Sequence, residues 1–214
     1  MKTIITTILA AIITLSATTA SAQGLLSKKK EYQGRKERSE YLQGAIPQDA
    51  EGKVVFTTTI SAPGHSASNI LQNLQQWAGL RYMPSTSRGV WNEPNYYNNG
   101  EFARMTVENG NITCQADEEI VFTNRTLARD ASKIYYTLDI QNIADGKATA
   151  TVRSIAYVYN LTDVAERIEA ENWITDAEAI SKKGTLYKGS AKFRIKTIDF
   201  VEALFAQIQE AANK

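Results

Sequence analysis

Few residues in this sequence have the type and spacing that support chemistry. The chain contains one histidine, His65, and one cysteine, Cys114. His65 follows a Pro-Gly turn and has no histidine, cysteine or acidic residue at ligand spacing nearby, so we predict an exposed turn residue rather than a metal ligand or general base. Cys114 alternates with Ile112 and Ala116 in a strand pattern, which predicts a small buried side chain rather than a nucleophile.

The stretch TCQADEEIV contains three consecutive carboxylates, Asp117, Glu118 and Glu119. Consecutive residues of a strand point to alternate faces, whereas an acid/base pair needs carboxylates that converge from separate elements. We therefore interpret this run as a solvated strand end. The sequence also lacks a Gly-x-Ser-x-Gly elbow, a phosphate-binding loop, a His-Glu-x-x-His motif and a Cys-x-x-Cys motif. We predict no catalytic residue, no metal site and no cofactor, and a hydrolase is the least favoured function.

The segment 82–100 is the region that we predict to be used for recognition. It is about twenty residues long, whereas hairpin connections need about two to five, and loops of that length are usually functional or disordered. It contains Trp91, Asn95, Tyr96 and Tyr97, which combine flat apolar rings with an amide, as carbohydrate or peptide recognition requires. The alternative is a solvated loop that Trp91 pins to the sheet.

The elements that position these residues follow from hydrophobic periodicity. The stretch VVFTTTI alternates as a half-buried strand, and a helix capped by Ser66 or Ser68 follows it. An Asn-Gly pair at 109–110 and an Asp-Gly pair at 145–146 separate further alternating runs, as the turns of short hairpins do. We predict four antiparallel strands in a meander after the helix.

The C-terminal part is predicted to be helical. A short helix is expected over residues 163–171 and a longer one over 197–214, with Thr197 as its cap and Asp199 in its first turn. Two amphipathic helices can cover one face of a curved antiparallel sheet, so the order strand, helix, four strands, helix predicts a two-layer α+β fold with an open second face. Four side chains are expected on that face: Tyr135, Thr137, Tyr157 and Tyr159.

The N-terminal stretch MKTIITTILAAIITLSATTASAQG has the pattern of a secretory signal peptide. We predict cleavage after Ala22 or Gln23, and the alternative is a membrane anchor, although the apolar run is shorter than the roughly 18 residues that a spanning helix needs. We expect export to the periplasm or the extracellular side of a bacterial cell envelope. The predicted organisation is a signal peptide at 1–22, a basic leader or linker at 23–40, and a single α+β domain at 41–214, with a sheet core over 41–160 and a helical part over 161–214.

Composition narrows the possible partners. The chain has 24 basic and 23 acidic residues, and removal of Lys2 with the signal peptide makes the two numbers equal. A neutral domain argues against general nucleic-acid binding. A single cysteine cannot form an intrachain disulfide, so the fold depends on burial alone.

Four parts of the chain resemble a known family. These are YLQGAIPQDAEGKVVFTTTISAPGHSASNI, the helix that contains Trp77, KIYYTLDIQNIADGKATATV and above all KFRIKTIDFVEALF, and they are similar to secreted bacterial domains of unknown function with a TATA-binding-protein-like (TBP-like) fold. The resemblance extends from about Tyr41 to the C terminus. It implies the α+β fold predicted above and brings no established catalytic residues, and its link to the nucleic-acid-binding namesake is one of fold alone.

Two functions remain open at this point. The first is a non-enzymatic binding module with an apolar cleft beneath the long C-terminal helix, for a small ligand such as a lipid or a glycan fragment. The second is a protein-interaction or envelope-structural module that uses the open sheet face. A core filled by the helices would favour the second function, whereas an enclosed apolar cavity would favour the first.

Overall fold

The computed structural model describes residues 39–82, 100, 102–125, 128–160 and 165–214. Its strands are β1 (Phe56–Ser61), β2 (Ala103–Glu108), β3 (Asn111–Arg125), β4 (Ala128–Ala144), β5 (Lys147–Asn160) and β6 (Ala165–Glu169). Its α-helices are α1 (Ala67–Arg81), the single turn α2 (Asp176–Ala179) and α3 (Lys188–Ala212). Short 3-10 turns occupy Ser39–Tyr41 and Ala170–Asn172.

The strands form one antiparallel sheet in the order β1-β5-β4-β3-β2, and β6 pairs with β5 beyond the end of β1. The predicted meander from β2 to β5 is confirmed. Asn109 and Gly110 have φ angles of 52° and 76°, as the two-residue hairpin turn between β2 and β3 requires. Glu108 pairs with Asn111 across this turn, so the alternation predicted from the sequence sets the register of the hairpin.

The prediction of a short helix over residues 163–171 is wrong. Residues 165–169 form β6, which pairs with residues 156–160 of β5. Here a free strand edge offers a complete set of backbone partners, and this pairing outweighs the weak helix preference of such a short segment. The part of the chain predicted as helical therefore contributes a sixth strand, with Ile168 packed against the core.

The predicted start of the C-terminal helix is also wrong. Helix α3 begins at Lys188, so Thr197 and Asp199 lie in its interior rather than at a cap and in a first turn. The Thr197 hydroxyl is buried and lies 2.6 Å from the Tyr157 hydroxyl. Asp199 accepts a hydrogen bond of 2.8 Å from Tyr41 Oη. Both side chains therefore hydrogen-bond to residues of other elements, and neither caps the N terminus of the helix.

Helices α1 and α3 cover the same face of the sheet. The side chain of Ser66 caps α1 by accepting from Asn69 N, as predicted. The apolar stripes of both helices are buried in the core: Ile70, Leu74, Trp77, Ile198, Val201, Leu204 and Ile208. Each fully buried aliphatic or aromatic side chain contributes about 1.5–3 kcal/mol, so this layer is the main source of stability.

A buried arginine attaches the N-terminal turn to this layer. Arg194 of α3 is completely buried, and its guanidinium donates to the Tyr41, Leu42 and Ile174 carbonyl oxygens and to the Asp176 carboxylate, at 2.5 to 2.7 Å. A buried guanidinium needs such a complete set of acceptors. Two of the stretches that carry the family resemblance, YLQG and KFRIK, therefore contact each other directly.

Candidate interaction surface

The face of the sheet opposite α1 and α3 is called the open face below, because no described helix covers it. Side chains alternate between this face and the core along each strand. In β4, Tyr136 and Leu138 lie in the core, whereas Tyr135, Thr137 and Asp139 belong to the open face. The predicted positions of Tyr135 and Thr137 are therefore correct.

A β-bulge changes which residues of β5 belong to the open face. Val152 is a core residue, but the register with β4 then shifts, and Ser154 adopts a positive φ of 53°. Beyond the bulge Tyr157 is fully buried in the core. The prediction that Tyr157 and Tyr159 lie on the open face is therefore wrong, because it continued the alternation through a bulge that reverses it.

Tyr159 is part of an aromatic cluster around an ammonium group on the helix side. Lys192 Nζ lies 4.3 Å from the centre of the Tyr159 ring and 4.6 Å from that of Phe122. It also donates to Tyr159 Oη at 2.6 Å and to Asp130 Oδ2 at 2.8 Å. This cation–π cluster attaches the first turns of α3 to β3, β4 and β5.

The open face is rich in threonine. The hydroxyls of Thr57 on β1 and Thr151 on β5 are 3.1 Å apart and form a cross-strand pair. A β-branched side chain has little rotamer freedom to lose on binding, and its hydroxyl can both donate and accept. The threonines of this face are Thr57, Thr59, Thr106, Thr113, Thr137, Thr149 and Thr151.

A buried carboxylate near the centre of this face fixes an exposed guanidinium. The Asp139 side chain is 8% exposed, and it accepts from Thr113 Oγ1 at 2.8 Å and from Arg153 Nε at 2.6 Å. The Arg153 side chain remains 47% exposed. The bond to Asp139 and a longer one of 3.4 Å from Arg153 Nη1 to Ser154 Oγ set the orientation of the guanidinium, and its remaining N–H groups are available to a partner.

The charges around this centre have both signs. Lys133 Nζ lies 3.6 Å from Asp117 Oδ2, and the Arg167 guanidinium lies 5.4 Å from the centre of the Tyr135 ring. Such mixed charge suits a polar protein surface better than the phosphate backbone of a nucleic acid.

The interpretation of residues 117–119 as a solvated strand end is wrong for two of the three carboxylates. Strand β3 continues to Arg125, and Asp117 and Glu118 are both buried. Asp117 accepts from Phe102 N through its carboxylate and donates its own N–H to Phe102 O at 3.1 Å. Glu119 alone is partly exposed, and it pairs with Arg129.

Gly100 lies against the backbone of Asp117. A Cβ atom at this position would lie 1.6 Å from the Asp117 carbonyl oxygen, so any other residue would displace the chain. The return of the chain to the sheet before β2 therefore requires glycine here.

Glu118 lies on the core face and organises a buried polar network. It accepts from Arg81 Nη2 and from Tyr136 Oη, both at 2.5 Å, and the Tyr82 and Tyr136 hydroxyls are 3.0 Å apart. Arg81 Nη1 also donates to Gln207 Oε1 of α3 at 3.0 Å. The sequence contained a signal for this network, because Glu118 continues the even-numbered core positions of β3.

Burial changes the proton affinities in this region. It raises the pKa of Tyr136 well above its usual value, and the neighbouring Glu118 charge raises that pKa further. Burial also raises the pKa of Tyr82, although the Arg81 charge opposes the effect. The pKa of Cys114 rises to about 12 for the same reason, so this residue is a buried neutral thiol, as predicted.

His65 is a turn residue, as predicted, but it is half-buried rather than exposed. Its backbone N–H donates to Ala62 O at 3.1 Å, and its carbonyl oxygen accepts from Gly146 N at 2.9 Å. Asp145, in the turn of the β4–β5 hairpin next to Gly146, accepts a hydrogen bond from Ala67 N at 2.7 Å. The turn before α1 is therefore connected to the β4–β5 hairpin through its backbone.

The residues predicted for recognition, Trp91, Asn95, Tyr96 and Tyr97, lie outside the described residues.

Within the part of the chain that the structure describes, no group of three or more His, Cys, Asp and Glu side chains could hold a metal ion. No helix in that part is long and apolar enough to cross a membrane.

Comparison with known proteins identifies the fold. Two crystal structures have a fold similar to that of this protein. A DUF4468 family protein from Bacteroides ovatus ATCC 8483 is 28% identical, with a TM-score of 0.66, over 84% of this chain and 97% of that one. A TBP-like protein from Parabacteroides distasonis ATCC 8503 is 22% identical, with a TM-score of 0.58, over 78% of this chain and 96% of that one.

No curated protein matches the chain. Residues 56–158 match the model of a family described as a domain of unknown function (DUF4468) with TBP-like fold. This match covers the sheet from β1 to β5 together with α1, and it confirms both the predicted α+β fold and the family resemblance. Residues 56–158 are therefore similar to the DUF4468 family, a family of domains of unknown function, and the fold is TBP-like.

Proposed function

We propose that this protein is a non-enzymatic interaction module of the bacterial cell envelope, which binds another protein through its open sheet face. The observation that carries the proposal is the difference between the two faces of the sheet. Helices α1 and α3 bury one face, whereas the described helices leave the polar array of the other face accessible. Export is part of the proposal and rests on the N-terminal sequence pattern.

The packing of the helices favours this function over a ligand cleft beneath α3. Ile198, Val201 and Leu204 of α3 are at most 5% exposed and belong to the same core cluster as Leu138 of β4. A binding module for a lipid or a glycan fragment would need an apolar cleft at this interface. Core side chains occupy it instead.

The chemistry of the open face suits a protein partner. Its threonine hydroxyls donate and accept, Arg153 presents an oriented guanidinium, and Tyr135 contributes a half-buried ring. Arginine and tyrosine are enriched at protein interfaces, where their polar groups pair while their apolar parts are buried. We expect Arg153 to lie near the centre of the contact.

Site-specific photocrosslinking in the native host tests this proposal. A photoreactive residue at Gln115 or Thr151 on the open face should capture one defined protein, whereas one at Ala206 on the outer side of α3 should not. The captured protein, once purified, should bind the wild-type domain and bind the Arg153→Ala variant at least about tenfold more weakly, as expected for loss of an interfacial arginine.

Two results would contradict the proposal. One is equal crosslinking from Ala206 and Thr151, which would show no preference for the open face. The other is a small molecule that remains bound in native mass spectrometry of protein purified from its host, together with an absence of open-face crosslinks. The second result would restore the ligand-cleft function.

A further inference from the structure

Strand β2 is the last strand on its side of the sheet, and no described strand pairs with its outer edge. Phe102 O accepts from Asp117 N, so the even-numbered positions of this segment direct their backbone groups towards β3. The two-residue turn at 109–110 agrees with this assignment, because the Glu108–Asn111 pair that flanks such a turn is a hydrogen-bonded pair. The N–H and C=O groups of Ala103, Met105 and Val107 therefore point outward.

The opposite edge of the sheet is protected. Ser61 of β1 donates to Gln209 Oε1 at 2.9 Å, and its carbonyl oxygen accepts from Gln209 and from Asn213. Next to the other end of β1, Val55 N donates to Pro47 O at 3.1 Å. Strand β2 contains neither the lysine nor the proline that often protects an edge, and Val107 is 41% exposed.

We propose that β2 pairs antiparallel with β2 of a second copy of this chain, about a twofold axis at Thr106. Antiparallel pairing requires that opposed residues both direct their backbone groups towards the partner or both away from it. A twofold axis at Thr106 meets this condition. It places Arg104 opposite the partner's Glu108, and Glu108 opposite the partner's Arg104.

The faces of the sheet agree with this register. The open face contains Arg104, Thr106 and Glu108. In the proposed register each arginine lies opposite a glutamate at a position without backbone hydrogen bonds between the two residues, where opposed side chains are closest. Met105 lies on the helix side and would contact the partner's Val107. The interface is self-complementary, as a twofold dimer requires.

Neighbouring registers lose this complementarity. A twofold axis at Met105 would place Arg104 opposite the partner's Thr106. An axis at Val107 would place Thr106 opposite the partner's Glu108. Neither of these two registers places Arg104 opposite Glu108, so the positions of the two charged residues favour the axis at Thr106. The dimer would join two open faces in one continuous sheet, and it does not depend on the function proposed above.

A cysteine on the proposed axis tests the register directly. In Thr106→Cys the two new side chains would face each other with Cα atoms about 4.5 Å apart, within the range of a disulfide. In the matched control Glu108→Cys the two copies would be about 13 Å apart, which is too far. Cys114 is fully buried, so it does not compete. Mild oxidation should give a covalent dimer of Thr106→Cys and little or none of the control.

Charge reversal tests the ion pairs. Arg104→Glu or Glu108→Arg alone places like charges opposite each other, and we expect the dimer dissociation constant to rise about tenfold or more in analytical ultracentrifugation. Mixing the two variants should restore dimers, because one copy then carries two acidic and the other two basic side chains. Lys182→Glu at an exposed turn is the control for a change of net charge.

A monomeric wild-type protein at all accessible concentrations, combined with equal oxidation of Thr106→Cys and Glu108→Cys, would overturn the dimer. Dimers that persist in Arg104→Glu, or that crosslink through Glu108→Cys, would overturn the register. In either case the photocrosslinks from Gln115 and Thr151 would be unaffected, so this inference and the proposed function fail separately.

Discussion

Glu118 and Asp139 are buried carboxylates on opposite faces of the same sheet, and each accepts a hydrogen bond from an arginine. Their partners differ in exposure. The Arg81 side chain is 5% exposed beneath the helices, whereas that of Arg153 is 47% exposed on the open face. The first pair is enclosed by protein, whereas the second exposes nearly half of its arginine side chain to solvent.

This difference separates structural charge from available charge. Arg81 is tied to Glu118 and Gln207, so it connects the end of α1 with β3 and α3. A partner could reach Arg81 only by displacing the helices. Arg153 needs no such change, because Asp139 orients its guanidinium from below and leaves its outer side accessible. Both carboxylates are buried, so the two sites differ in the burial of the arginine.

The largest expected effect comes from neutralising these two carboxylates separately. Glu118→Gln leaves the buried Arg81 charge without its counter-ion, and we expect a loss of about 3–5 kcal/mol in the free energy of unfolding. Asp139→Asn leaves Arg153 free to turn to water, so a loss of about 1 kcal/mol is expected. Urea denaturation at neutral pH measures both losses. Equal losses would contradict the distinction between an enclosed and an available pair.

A smaller effect is expected from the buried tyrosines at alkaline pH. Burial raises the pKa of Tyr82, Tyr136 and Tyr157 above the ordinary value. These groups stay protonated in the native state while they ionise in the unfolded state, so the stability they provide is present below about pH 10 and decreases above it. Each contributes a slope of about 1.4 kcal/mol per pH unit.

Tyr157→Phe separates this pH effect from simple destabilisation. The variant loses the hydrogen bond to Thr197 and should be less stable at neutral pH, yet its stability should decrease less steeply above pH 10. Denaturation at several pH values gives the slope. If tyrosinate absorbance showed all tyrosines ionising before the protein unfolds, the buried-network interpretation would be wrong.

Local patterns predicted the strands and turns of the meander well, because each depends on neighbouring residues. Period-two alternation and the Asn-Gly pair at 109–110 were enough to predict the β2–β3 hairpin. Cys114 was predicted correctly for the same reason, since its core position follows from the alternation of β3.

Features that depend on distant partners were not predictable in this way. The bulge at Ser154 reverses the faces of β5 and places Tyr157 in the core, and the consecutive polar residues Arg153 and Ser154 are its local trace in the sequence. Strand β6 exists because β5 leaves an edge for it to pair with. The burial of Glu118 depends on Arg81, which lies 37 positions away in the sequence. Charge in a sequence therefore indicates a solvated segment only when no distant counter-ion reaches it.

The smallest expected effect on stability tests the open face most directly. Thr57→Val with Thr151→Val keeps the β-branched shape and removes one cross-strand hydroxyl pair, so we expect a change within about 0.5 kcal/mol. Thr197→Val makes the same chemical change beneath the helices. It leaves the buried Tyr157 hydroxyl without its partner and should cost about 1–3 kcal/mol. If the open face binds a protein, the first variant should lose affinity for that protein while remaining fully folded, and the second should bind normally at temperatures where it is folded. The opposite pattern, with binding lost only in Thr197→Val, would place the recognition surface on the helix side of the sheet.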